Sequence, residues 1–337
     1  ALLTLAGWRM DDVITTEQII KLVSQQKELN FPTGTQFKYS NTGYTLLAEI
    51  VKKVSGQTFS EFTEENIFQP LAMKNTQFYD DHEKLVKNRA YSYGQENGVF
   101  KKRTLSYSNV GATSLFTTVE DLAEWSMNFE KPIVGDSELI EKFNEPAKLD
   151  NGKPVIMGII DGETIYHAKG QFFRNYRGLS LFNHTGGDAG YRTYLARFPD
   201  NRFSVIALSN DESFVSLKAG LDIAEFYLKD DLKRKITDNN QSSEHNSIEP
   251  FNSDLTEFEG EYYNPELTTT YRLKFKDNKL IMSHRRLSDI ELTQIGKDKF
   301  SGINTFGFEM EFLRTGQKVV GFEISNFGAK KVKFGRK

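Results

Sequence analysis

The sequence contains no cysteine. That absence excludes a disulfide, a thiolate metal ligand and a cysteine nucleophile, and it leaves the compartment open. No run approaches the ~18 consecutive apolar residues that a membrane-spanning helix needs. A net charge of −3, from 43 basic and 46 acidic residues, is too small to advertise nucleic acid or an anionic membrane as a partner. No glycine-rich phosphate loop stands between a strand and a helix, which disfavours nucleotide chemistry. The five histidines, His82, His167, His184, His245 and His284, never fall at i, i+4 on a helix or in a metal-ligand pattern. Asp80-Asp81-His82 clusters but reads as a solvated turn. Metal-dependent hydrolysis is therefore not expected, and no cofactor is expected. The opening residues, ALLTLAGW, carry no basic leader and read as the middle of a chain rather than as a signal peptide.

What is present is ordinary globular material, 38% hydrophobic and 26% charged over 337 residues, enough for two domains. Thr15 with Gln18 forms a capping-box pair ahead of IIKLV. Leu47, Ile50, Val51 and Val54 recur at helical spacing, and Gly56 stops them. Thr118 with Asp121 caps another helix. Near residue 190 the pattern turns to strands, YRTYLARF and FSVIALSN, around a Pro-Asp-Asn turn, and a last amphipathic helix lies in SLKAGLDIAEFYL. These elements predict an α+β domain over residues 1–228. Residues 229–250 are polar and read as a linker. Residues 251–337 are expected to form a small all-β barrel or sandwich, with Tyr271, Leu273 and Phe275 alternating with basic residues and a similar alternation at Phe306, Phe308, Met310 and Phe312.

Two segments could carry chemistry. Tyr-Ser-Asn occurs at 39–41 and again at 107–109. The first copy follows a Pro/Gly turn and precedes an amphipathic helix near Thr42, so Tyr39 and Asn41 are braced at a helix N-terminus whose dipole favours a tyrosinate. The second copy lacks such bracing and reads as an ordinary loop. His184-Thr185-Gly186-Gly187 follows the apolar LSLF, and its glycines would let a substrate backbone approach and expose a main-chain N–H.

Together FPTGTQFKYSNTGYTLLAEIVKKVSG, IFQPLAMKNT, LFTTVEDLAEW and HTGGDAGYRTYLARFPDNRFSVIALSN resemble the serine β-lactamase and penicillin-binding protein superfamily over residues 1–228. The likeness is to its class C, D-peptidase and esterase branch. It implies a β-lactamase/transpeptidase-like fold, with Tyr39 as general base and Asn41 touching the substrate amide. His184, Thr185 and Gly186 would line the other wall, and Gly187 would offer an oxyanion N–H from an edge strand. It implies a bacterial, extracytoplasmic hydrolase of small molecules or short peptides, and the tail resembles a lipocalin-like barrel. Histidine at position 184, in place of the family's lysine, points away from β-lactams and toward an esterase or peptidase. A true β-lactamase or D,D-peptidase and a non-catalytic ligand-binding protein, in its cleft or its barrel, are the alternatives.

The family's Ser-x-x-Lys nucleophile is expected upstream of Tyr39. The one formal match, Ser24 to Lys27, falls late in a solvated helix and is rejected. The nucleophile is therefore expected outside this sequence, in a missing N-terminal segment or a separate polypeptide, and this chain alone is expected to be inactive. An apolar groove is expected where that segment would pack.

Overall fold

The structure is a computed structural model that describes residues 1–233, 254–303 and 307–337. Most of the expected linker, residues 234–250, lies outside the described residues, as do His245 and Phe306. The fold is α+β with a closed β-barrel, as the sequence predicts.

Local signals set the helices. In α1 (Leu2–Leu5) and α2 (Thr16–Ser24) the chain makes its first turns, and Thr15 and Gln18 close the predicted capping box at α2. Ser40 caps α3 (Asn41–Ser55) by accepting from the Gly43 N–H at 3.1 Å, and Gly56, at φ 77°, ends it. Helices α4 (Phe59–Thr63), α5 (Val119–Met127), α6 (Ser137–Asn144) and α7 (Ser216–Tyr227) follow. Three two-stranded pairs brace the loops: β1 (Ile14–Thr15) with β5 (Tyr107–Ser108), β2 (Gln77–Phe78) with β6 (Leu115–Phe116), and β3 (Ser92–Glu96) with β4 (Val99–Arg103).

The central sheet is antiparallel, in the order β12-β11-β10-β9-β8-β7. Its strands are β7 (Ile156–Ile160), β8 (Glu163–Ala168), β9 (Gln171–Tyr176), β10 (Leu179–Asp188), β11 (Tyr191–Phe198) and β12 (Phe203–Ser209). Asp161-Gly162, Lys169-Gly170 and Arg177-Gly178, all at positive φ, make three of its two-residue hairpins. Helix α7 lays Ala224 on one face, against Tyr194, Phe198 and Val205. The expected linker does not begin at 229: Lys233 is tied to Arg177 by a 2.8 Å backbone bond, and Leu232 packs on the sheet core.

Eight antiparallel strands close the barrel: β13 (Gly260–Asn264), β14 (Thr269–Lys276), β15 (Lys279–His284), β16 (Leu287–Gln294), β17 (Lys299–Ile303), β18 (Gly307–Thr315), β19 (Lys318–Asn326) and β20 (Val332–Arg336), with β13 pairing β20. Phe258, Tyr262, Tyr271, Phe300, Phe312, Phe322 and Phe334 fill its interior. A core packed with rings gives no support to a ligand-filled barrel.

The barrel does not hang from the rest as a bead. Leu5, fully buried, sits in the barrel core, and its carbonyl accepts from the Tyr271 hydroxyl at 3.1 Å. Arg286 grips both oxygens of Asp12 at 2.8 Å. Gly7, at φ +87°, presses on His284 so closely that a Cβ would lie 2.0 Å from the ring. The first residues, expected to belong to the α+β domain alone, thus also cover the barrel's apolar interior.

Candidate functional site

Tyr39 immediately precedes the Ser40 cap, and Asn41 is the first residue of α3. Opposite them, His184 begins the C-terminal half of β10. There β9 has ended, its last pairing being Asn183 with Phe172, while β11 continues to Asp188. The expectation of an edge strand is corrected in this form: β10 is interior to the sheet, but from His184 onward its β9 side is unpaired. Tyr39, Asn41, His184, Thr185, Gly186 and Gly187 all line one cleft of about 1510 Å³.

The Tyr39 and His184 rings are 6.3 Å apart, and His184 stacks on Phe172 at 4.6 Å. The His184 Nδ1 lies 2.6 Å from the Thr185 carbonyl, which can only accept, so Nδ1 carries the proton. Burial lowers the His184 pKa. The ring is then neutral near neutral pH and leaves Nε2 as an acceptor. Gly186 is required by close packing, since a Cβ there would fall 2.1 Å from Thr193 Oγ1.

The surroundings of Tyr39 work against the tyrosinate that the helix dipole would favour. Burial, and then the charge of Asp188, raise the Tyr39 pKa. A dipole acting over one turn does not offset the loss of water together with a nearby carboxylate.

The second Tyr-Ser-Asn copy is not an ordinary loop. Tyr107 and Asn109 line the same cleft. Gly111 brings this segment onto α3, where a Cβ would lie 2.5 Å from the Tyr44 carbonyl. Burial and Asp188 push the Tyr107 phenol strongly up. Asp188 itself accepts from the Thr113 hydroxyl, and burial raises its pKa. The carboxylate directly after His-Thr-Gly-Gly was the available signal for Asp188; nothing local marked Thr113 or Tyr107. The barrel borders the site as well: Phe327 lines the cleft, and Lys38 donates to the Asn326 carbonyl at 2.8 Å.

Ser24 behaves as expected. It is exposed at the last residue of α2, its hydroxyl donates to the Lys21 carbonyl at 3.0 Å, and it does not line the cleft. Ser114 does line it, with a left-handed φ of 68° and a buried hydroxyl that has no partner among the described residues. Both features cost stability. Ser114→Gly is therefore expected to stabilise the protein by about 1 kcal/mol, after the extra freedom glycine gives the unfolded chain. A urea midpoint that rises at constant slope checks it; a midpoint that falls would show that the hydroxyl is stabilising.

The beta-lactamase family profile matches residues 4–226. The chain belongs to the beta-lactamase family. Among curated relatives it is 26% identical over 222 residues to a penicillin-binding protein of Bacillus subtilis, covering 61% of this chain and 47% of that one. It is 23% identical over 216 residues to a D-aminopeptidase of Brucella ovis, covering 64% and 40%. The chain thus spans less than half the length of these relatives. Among solved structures, the octameric penicillin-binding protein homologue of Pyrococcus abyssi covers 99% of this chain, and this chain covers 73% of it, at a TM-score of 0.58 and 20% identity. That likeness shows the fold, barrel included.

Proposed function

We propose that this chain is part of a serine hydrolase that cleaves an amide or ester in a small molecule or short peptide through an acyl-enzyme. The observation that carries the reading is the convergence of Tyr39 and Asn41 with His184, Thr185, Gly186 and Gly187 on one cleft. The D-aminopeptidase and penicillin-binding protein relatives support the amide or peptide class.

In this reading the nucleophilic serine and its lysine belong to a segment outside these 337 residues. The sequence's single Ser-x-x-Lys does not reach the cleft. Among the described residues nothing covers the apolar stripe of α3, with Leu47 53%, Ile50 56% and Val54 83% exposed. The serine Oγ would bond to the substrate carbonyl carbon, its proton passing through Tyr39, while main-chain N–H groups take the oxyanion. The leaving amine or alcohol would collect that proton as its bond breaks, and water would repeat the sequence to release the acid. Because Tyr39 holds its proton tightly in this chain, the lysine's positive charge would be needed to make it a base. Neutral His184 offers the substrate a hydrogen-bond acceptor, not the cation that would hold a carboxylate at that wall.

A non-catalytic binding cleft is the second reading, favoured by the raised Tyr39 pKa. Turnover decides between them. The intact protein, its upstream segment included, is expected to hydrolyse activated esters or D-amino acid anilides and to be blocked by a fluorophosphonate. Absence of both would leave the binding reading.

A further inference from the structure

Arg89 lies between β2 and β3, half-buried, and lines the same cleft as Tyr39 and His184. Aromatic rings collar its guanidinium: the central carbon is 4.7 Å from the ring centre of Phe116, 5.4 Å from Tyr91 and 5.6 Å from Tyr79. Its one hydrogen bond among the described residues runs from Nε to the Tyr191 hydroxyl, at 3.4 Å. The remaining N–H groups have no protein acceptor there, and no carboxylate lies at ion-pair distance among the described residues. Neighbouring arginines differ. Arg9, also lining the cleft, is beside Asp11 and Asp12 at 3.3 and 3.7 Å, and Arg103 is bonded to Glu96 and Glu212 at 2.7 and 2.8 Å.

A guanidinium partly shielded from water by rings, with its fork unpaired, is built to take a planar anion bidentately. Its place in the cleft fixes which part of a ligand it would meet. Tyr191 pairs with Asp188 at the tip of the β10–β11 hairpin. His184 lies four residues back along β10, roughly 13 Å at ~3.3 Å per residue. That span suits an extended acyl peptide of a few residues.

We propose that Arg89 binds a carboxylate at the far end of the substrate, so that the cleft selects short acyl peptides whose end remote from His184 is anionic. The word substrate rests on the hydrolase reading; the anion site does not. Of the cleft's other charged groups, Glu64, Lys74, Lys87 and Glu120 are exposed and screened by water, and Asp188, a carboxylate that accepts from Thr113, cannot hold an anion. The rival role is purely structural, with Arg89 pinning its loop to Phe116 and Tyr191.

Calorimetric titration of the 337-residue protein with benzoyl-glycyl-glycine and with its carboxamide separates the two roles. Wild type is expected to bind the free acid about tenfold or more tightly than the amide, with the preference shrinking as salt is added. Arg89→Gln should erase the preference and leave amide binding unchanged; Arg89→Lys, which keeps charge but not the fork, should retain part of it. Equal affinities in wild type, failure of the free acid to bind, or a preference that survives Arg89→Gln would overturn the proposal. Should Arg89→Gln not fold, Arg89→Lys decides: a preference cut severalfold supports the site, and an undiminished one overturns it. Failure here leaves the hydrolase reading untouched, since fluorophosphonate labelling of the intact protein does not depend on Arg89.

Discussion

Tyr39→Phe in the intact protein is expected to lower kcat/KM by about 100- to 10,000-fold, the range for loss of one positioned acid–base group. The substitution removes a single oxygen and keeps the ring that packs 6.3 Å from His184, so the cleft should keep its shape. Tyr39 is 37% exposed, and loss of its hydroxyl should leave stability nearly unchanged. The effect should therefore fall on kcat and on acylation, with substrate affinity little altered. Tyr107→Phe is the internal control. Tyr107 lines the same cleft, but its hydroxyl points to the Met10 sulfur at 3.6 Å. A large loss at Tyr107 with little at Tyr39 would assign the base to the second copy and overturn this account of the site.

Leu5→Ala is expected to cost about 2–5 kcal/mol, as large-to-small changes in packed cores do. Leu5 is fully buried in a core whose other buried members are all barrel residues more than 250 positions away in sequence. The cavity would open at the junction of the two parts, beside the Tyr271 bond to its carbonyl and next to the Gly7–His284 contact. Chemical unfolding followed by circular dichroism reads the loss. A barrel that hung independently on its linker would not respond to residue 5 at all. A change below about 0.5 kcal/mol, the range of an ordinary surface substitution, would refute the docking.

Signals confined to a few residues were legible in the sequence. The capping box at Thr15, the cap at Thr118 and the alternation through Tyr271 and Leu273 each depend on near neighbours, and each appears in the structure. The pairing of Tyr39 with His184 was legible only through the family's ordered blocks, since no local rule brings α3 against β10. Three features were not legible. The apolar stripe of α3 marked the helix but not its buried face: α3 buries Thr45 and Ala48, while Leu47, Ile50 and Val54 are exposed. Tyr107 enters the cleft because Gly111 packs onto α3, a long-range contact with no local mark. The Tyr39 pKa is raised by burial and by Asp188, a residue far along the chain that no local pattern connects to it.

Site-resolved mass spectrometry after fluorophosphonate treatment, run in parallel on the intact protein and on the 337-residue chain, locates the nucleophile. One stoichiometric adduct is expected on a serine N-terminal to Ala1 in the intact protein, slowed by Tyr39→Phe, with no adduct on the chain alone. A stoichiometric adduct on Ser24, or an intact protein that takes no label, would contradict this placement of the nucleophile.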